Sequence, residues 1–194
     1  YQVVAVGVVP GIDEELEPEE IAEIAAGIEP TDGIFYPGIV QMNYMTGELI
    51  KSYGNAPKMI IAMFDMGGSI NTVEFHSEYH GHEDSPKELL EAIDKLDVDF
   101  SPRQIAHVAT LSAQANQKLV PKPHLEEIIK YSATLGALGV NVAHSGTMVG
   151  VLFAPDESMK HVMEAVEKIR EKFPELEYFE TERLISGGYD IEQR

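Results

Sequence analysis

Cysteine is absent from the 194 residues, which excludes disulfides and thiolate chemistry and agrees with a reducing compartment, the cytoplasm being the expectation. Long apolar runs are also absent. None approaches the roughly 18 residues a membrane-spanning helix needs, so a transmembrane reading fails. Tyr1 to Val9 is apolar but lacks a basic flank and a small-residue cleavage pattern, and is not read as a secretory signal. Basic residues are few: 14 Lys and Arg stand against 33 Asp and Glu, for a formal charge of −19. The acids are spread through the chain and no basic stripe of the kind nucleic acid or an anionic membrane requires is present, so neither partner is expected. An anionic small ligand such as ATP is still admissible, because a few local donors and a metal ion hold phosphates inside a negative field. Internal repeats, low-complexity tracts and flexible linkers are not seen.

What is present is the composition of a globular protein, 44% hydrophobic and 24% charged. The length suits one sizeable core, or two small lobes. Glu17-Pro18-Glu19-Glu20 opens a helix, with proline in the first turn and acids at the positive dipole end; Ile21, Ile24, Ala25 and Ile28 form one apolar face, and Pro30 ends it. Ile34 to Val40 and Leu49 to Tyr53 read as strands joined through Asn43 to Glu48, and Met59 to Phe64 as a buried strand broken by Gly67-Gly68. Ser85-Pro86-Lys87-Glu88 has capping-box spacing, and Ser101-Pro102 starts a further helix. The apolar stripe of that helix runs Ile105, Val108, Ala109, Ser112, Ala115, Asn116, Leu119, so polar Ser112 and Asn116 sit where core residues belong. Pro123 opens a helix through Leu125, Ile128, Ile129 and Leu135. Pro155 to Phe173 reads as helix, and Glu177 to Ile185 as a closing strand. From residue 58 the order is strand, helices, two adjacent strands, helix, strand, which suits an α+β fold: a ferredoxin-like antiparallel sheet with an inserted helix and helices on one face. The first ~55 residues offer one short helix and two or three strands, too little for a lobe of their own.

Gly139 to Phe153, GVNVAHSGTMVGVLF, is the stretch richest in chemical promise. Two β-branched runs flank His144-Ser145-Gly146-Thr147, where backbone N–H groups and two hydroxyls meet around a residue without a side chain. That is either an ordinary hairpin turn or a cradle for an oxyanion or phosphate. Asp32, between Pro30-Thr31 and Gly33, projects from a tight turn; it serves either a local Asx turn or as a general base. Ser112 and Asn116 need hydrogen-bond partners, from neighbouring backbone or from a ligand, and Gln117 adds an amide one step round the helix. His76, His80 and His82, beside Glu83 and Asp84, have metal-ligand chemistry but complete no known spacing, so no metal site is assigned to them.

Taken together, Ile28-Glu29-Pro30-Thr31-Asp32-Gly33, Asp65-Met66-Gly67-Gly68, Leu111 to Gln117 (LSAQANQ) and Val140 to Thr147 (VNVAHSGT) resemble the GHMP small-molecule kinases. Within that family they are most similar to the branch that phosphorylates L-threonine for cobalamin biosynthesis. The similarity runs from about Leu16 to Phe153. It implies a remnant of an S5-like, ATP-binding N-terminal lobe over residues 1–56 and a ferredoxin-like C-terminal lobe over residues 57–194. It further implies transfer of the γ-phosphoryl group of ATP, with Mg²⁺, to the hydroxyl of a small amino acid. By the same resemblance Asp32 is the catalytic carboxylate near the acceptor hydroxyl, its base or orienter. Thr31, Ser112, Asn116, Gln117 and His144 line the substrate side, and Ser145, Gly146 and Thr147 lie next to the phosphates. One part of the family pattern is missing: a Gly- and Ser-rich phosphate loop at a helix start, expected upstream of Tyr1. With no initial Met, the chain reads as a fragment of such a kinase. The alternatives are a kinase for homoserine or another small hydroxy compound, a non-catalytic binding or interaction module on the same fold, and a metal-dependent hydrolase using the His76 to His82 loop.

Overall fold

The computed structural model describes residues 16–28, 33–67, 86–118, 120–143 and 146–187. The chain divides into two compact units, Tyr1–Ala56 with Ser186–Arg194, and Pro57–Ile185. Residues from Ser186 onward thus group with the first unit. Gly38 N–H donates to the Ser186 carbonyl at 3.2 Å, and Ser186 Oγ donates to the Ala56 carbonyl at 3.2 Å.

In the first unit α1 spans Pro18–Ile28, and an antiparallel ribbon pairs β1, Ile39–Met42, with β2, Leu49–Gly54. The strand expected from Ile34 begins only at Ile39. Gly33–Phe35 form a 3₁₀ turn instead, and Pro37-Gly38 breaks the chain, Gly38 holding φ +78°, a region costly for any residue with a Cβ. The ribbon turn is built by Asn43, whose Oδ1 accepts from Met45 N–H at 3.0 Å. Buried Tyr36 donates its hydroxyl to the Gly47 carbonyl at 2.7 Å. The anticipated apolar face of α1 is left open: Ala22 is its buried residue, while Ile24 and Ile28 are 57% and 73% exposed.

The second unit is organised by one four-stranded antiparallel sheet. Its strands are β3 (Ile60–Asp65), β4 (Gly139–Val142), β5 (Met148–Phe153) and β6 (Glu177–Arg183), in spatial order β4-β5-β3-β6. The first and third strands in sequence are therefore central, the ferredoxin-like arrangement. In β3 the period-two pattern shows in the burial: Ile60, Ala62 and Phe64 are buried, and Ile61, Met63 and Asp65 half-buried. β5 is buried from Val149 to Phe153, as a central strand covered on both faces must be. Register pairs Ile60 with Phe153, Ala62 with Val151 and Phe64 with Val149.

Helices α2 (Lys87–Asp94), α3 (Pro102–Asn116) and α4 (Leu125–Thr134) lie between β3 and β4, and α5 (Met159–Lys172) between β5 and β6. Leu125 and Ile128 of α4 and Val162, Ala165, Val166 and Ile169 of α5 close over Ile60, Ala62, Phe64, Val149, Val151 and Phe153 to make the main core. A smaller cluster joins Ala106 of α3 to Met59 and Leu152. Gly139 lets β4 approach α3, since a Cβ there would strike the Ala106 carbonyl and the Thr110 hydroxyl.

α2 starts at Lys87, as expected, with Pro86 as its N-cap, while Ser85 lies outside the described residues. In the second unit one boundary and one buried face differ from expectation. α5 starts at Met159, not Pro155, because Ser158 Oγ accepts from His161 N–H at 3.1 Å and sets the N-terminus there. The buried stripe of α3 is Ala106, Ala113 and Asn116, rotated from the predicted one, leaving Ser112 half-buried. The cap expected at Ser101 is present, its Oγ accepting from Gln104 N–H at 3.2 Å.

Candidate active site

Two groups of candidate residues lie within the described chain. The first is the end of the β4–β5 hairpin. Ala143 N–H donates to the Met148 carbonyl at 3.0 Å, continuing the ladder to the turn, and Met66 N–H donates to the Thr147 carbonyl at 3.1 Å, tying the turn to the end of β3. Asp65 stands opposite Met148 in the register. Its carboxylate accepts from the Thr147 hydroxyl and, through Oδ1 at 2.9 Å, from Gly67 N–H. These two donors, the hydroxyl foremost, hold the Asp65 carboxyl below the usual carboxylate range. Gly146 is half-buried, and a Cβ there would come within 3.0 Å of the Ala143 methyl. The sheet thus presents a small, tightly drawn turn beside a fixed negative charge, with one donor of the turn already committed to that charge.

The second group is the C-terminal end of α3. Asn116 is buried, and its carbonyl accepts from Val120 N–H at 2.9 Å. Gln117 uses both ends of its amide on one residue: Nε2 donates to the Lys122 carbonyl at 3.0 Å, and Oε1 accepts from Lys122 N–H. That clamp fixes the loop into α4. Lys122 itself is 4% exposed, and its Nζ has no hydrogen-bond partner among the described residues. Burial pushes its pKa down.

Asp32, Thr31, His144 and Ser145 lie outside the described residues, as do His76, His80 and His82. No three His, Asp or Glu side chains converge as a metal site among the described residues. Nor is any helix there long and apolar enough to cross a membrane. Sequence reasoning passed over Asp65 and Lys122 as site residues. The signal for Asp65 was its place at the strand end just before Gly67, and for Lys122 its position between Pro121 and Pro123.

Residues 89–172 match the family model described as GHMP kinases C terminal. This part of the chain is thus similar to the C-terminal domain of GHMP kinases, and the chain shares its α+β fold with solved mevalonate kinases. Among individual proteins, the L-threonine kinase of Citrobacter freundii is 22% identical over 189 residues, which cover 92% of this chain and 64% of that protein. The L-threonine kinase of Salmonella typhimurium is 22% identical over 153 residues, 76% of this chain and 51% of that protein. The chain therefore spans less than two thirds of the length of either. Among solved structures, Methanococcus jannaschii mevalonate kinase superposes with a TM-score of 0.59 at 17% identity, covering 89% of this chain and 58% of that one.

Proposed function

We propose that the protein carrying this chain is an ATP-dependent kinase for a small hydroxy amino acid, L-threonine first among the acceptors. The observation that carries the reading is the β4–β5 turn drawn onto β3 through Thr147 and Asp65, in a chain similar to the C-terminal domain of GHMP kinases whose curated relatives named above are L-threonine kinases. Phosphoryl transfer asks little covalent chemistry of a protein; it asks for positioning and for donors where charge develops. The Ser145 to Thr147 backbone and hydroxyls are suited to the phosphates, while Ser112, Asn116 and Thr31 offer hydrogen bonds to an amino acid's polar head. Gln117 supports that end of α3 by holding the loop at Lys122. His144 faces the acceptor in this reading, and Asp32 orients or deprotonates its hydroxyl. In this reading Mg²⁺ enters with the nucleotide substrate.

Acceptor-dependent ADP release tests the proposal, with ATP and Mg²⁺ supplied together with L-threonine, homoserine or no acceptor. Release that rises with L-threonine supports it. A preference for homoserine corrects the acceptor, and acceptor-independent or absent release from folded protein contradicts the kinase reading. Asp32→Asn is expected to lower turnover far more than folding stability.

A further inference from the structure

Asp65 ends β3 with a carboxylate that its neighbours hold in place without neutralising. Gly67 N–H donates to Oδ1 at 2.9 Å, in a bond that is itself exposed to solvent, and the Thr147 hydroxyl donates to the same carboxylate. Thr147 is in turn fixed by Met66 N–H, which donates to its carbonyl at 3.1 Å. A carboxylate offers about four lone-pair sites, so two neutral donors leave about half of them open. No Lys, Arg or His forms an ion pair with Asp65 among the described residues. Strand pairing brings no counter-charge, because Asp65 stands opposite Met148 on β5 and Glu177 on β6. Met148 and Met63, which shares the Asp65 face two residues earlier on β3, are half-buried and give the carboxylate an apolar flank. Asp65 is likewise only half-buried, so a solute reaches it.

We propose that Asp65 binds the ammonium group of the acceptor amino acid and so sets the enzyme's preference for amino over purely carboxylic hydroxy compounds, an assignment that rests on the kinase reading above. A bare carboxylate beside a turn suited to phosphates repels the nucleotide unless a cation lies against it, and the acceptor carries one. An ammonium has three donors for the open lone pairs, and its bonds to a carboxylate are charge-assisted. Because Gly67 and Thr147 already fix the carboxylate, little side-chain freedom is lost when the ammonium arrives. The same charge turns the acceptor's own carboxylate away from β3, while Met63 and Met148 flank its aliphatic carbons.

Titration of the isotopically labelled full chain with L-α-aminobutyrate, followed by amide chemical shifts, tests the site. This probe keeps the ammonium and lacks the reacting hydroxyl, and butyrate serves as the comparison without the ammonium. Saturable shifts at Asp65, Met66, Thr147 and Met148 are expected with L-α-aminobutyrate, and binding of butyrate at least about tenfold weaker. Asp65→Asn, nearly isosteric and still able to accept from Gly67, should weaken L-α-aminobutyrate roughly ten- to hundredfold, for the loss of a bond between charged groups. Butyrate should bind that variant no more weakly than the wild type. Absence of saturable shifts overturns the proposal, as does equal binding of the two probes by the wild type. An equal loss of both probes in Asp65→Asn assigns the residue a structural role and overturns it too, as do shifts on adding magnesium chloride alone that compete with L-α-aminobutyrate. ADP release separates this assignment from the kinase reading. Binding as expected without L-threonine-dependent release keeps the ammonium site and removes the kinase, whereas release with an unchanged KM for L-threonine in Asp65→Asn keeps the kinase and removes the ammonium site.

Discussion

The β1–β2 ribbon and the four-stranded sheet use similar strand sequences to different ends. Ile50 of β2 is exposed, as are Ile24, Ile28, Ile34 and Met45 elsewhere in the first unit, whereas Ile60, Ala62 and Phe64 of β3 and Val149, Val151 and Phe153 of β5 are taken up by α4 and α5. An alternating apolar pattern reports that a face is available for burial; whether it is buried depends on an element arriving from elsewhere in the chain. In the second unit those elements arrive, and the end of the sheet they stiffen is where the Thr147–Asp65 contact is made.

The widest gap between the two regions is expected from truncations. Phe153→Ala removes a fully buried ring at the centre of the main core and is expected to cost about 3–5 kcal/mol, read by denaturant unfolding. Ile24→Gln on α1 should stay within about 0.5 kcal/mol, as an exposed substitution to a good helix former. A loss at Ile24 comparable to that at Phe153 would break the contrast and show that the α1 face is covered in the folded protein.

Within the second unit, Lys122→Met is expected to stabilise by on the order of 1–3 kcal/mol at neutral pH, since it removes a buried amine without a partner. The native Lys122 amine binds its proton less tightly than in the unfolded chain, so unfolding takes up a proton between the lowered native pKa and the unfolded value near 10.4. Wild-type stability should therefore rise with pH across that interval, and the rise should vanish in the variant. A flat wild-type profile would mean that the amine is solvated.

Thr147→Val comes next, at about 1 kcal/mol at neutral pH for a lost hydrogen bond to a carboxylate. Asp65 is held low by that bond, so the stabilisation is present above the ordinary carboxylate range and fades as pH falls through the lowered native value. The stability difference between wild type and variant should shrink in acid, below about pH 4. A difference independent of pH would assign the loss to packing alone.

Much of the second unit was legible in the sequence because its signals are local and agree with one another. The β4–β5 hairpin, β3, the cap at Ser101 and the apolar spacing of α4 each declare themselves within a dozen residues. What was not legible depends on distant partners or on competing local bonds. Ile34 and Phe35 have strand-like side chains, yet Pro37 and the positive φ of Gly38 decide the backbone. Pro155 is a good helix opener, but Ser158 makes the cap. Asn116 was expected on the buried stripe of α3 and is buried there, whereas Ala106 and Ala113, which share that face, are too small to mark it in a periodicity count. Asp65 stood in one of the stretches that carry the family resemblance but was given no role there; its partner Thr147 is about eighty residues on in sequence and reaches it through strand register. Gln117 was placed on the substrate side by the family resemblance, and in the structure both ends of its amide bond the Lys122 backbone, a contact that follows from the loop's path.

The central claim is that the sheet end at Asp65 and Thr147 belongs to a phosphoryl-transfer site, and its most direct test is L-threonine-dependent ADP release by wild type and by Thr147→Val, with folding checked by circular dichroism. The account predicts acceptor-dependent release in the wild type and at least about a tenfold fall in kcat/KM for the folded variant, equivalent to about 1.4 kcal/mol of transition-state stabilisation. Unchanged kcat/KM in folded Thr147→Val would contradict it.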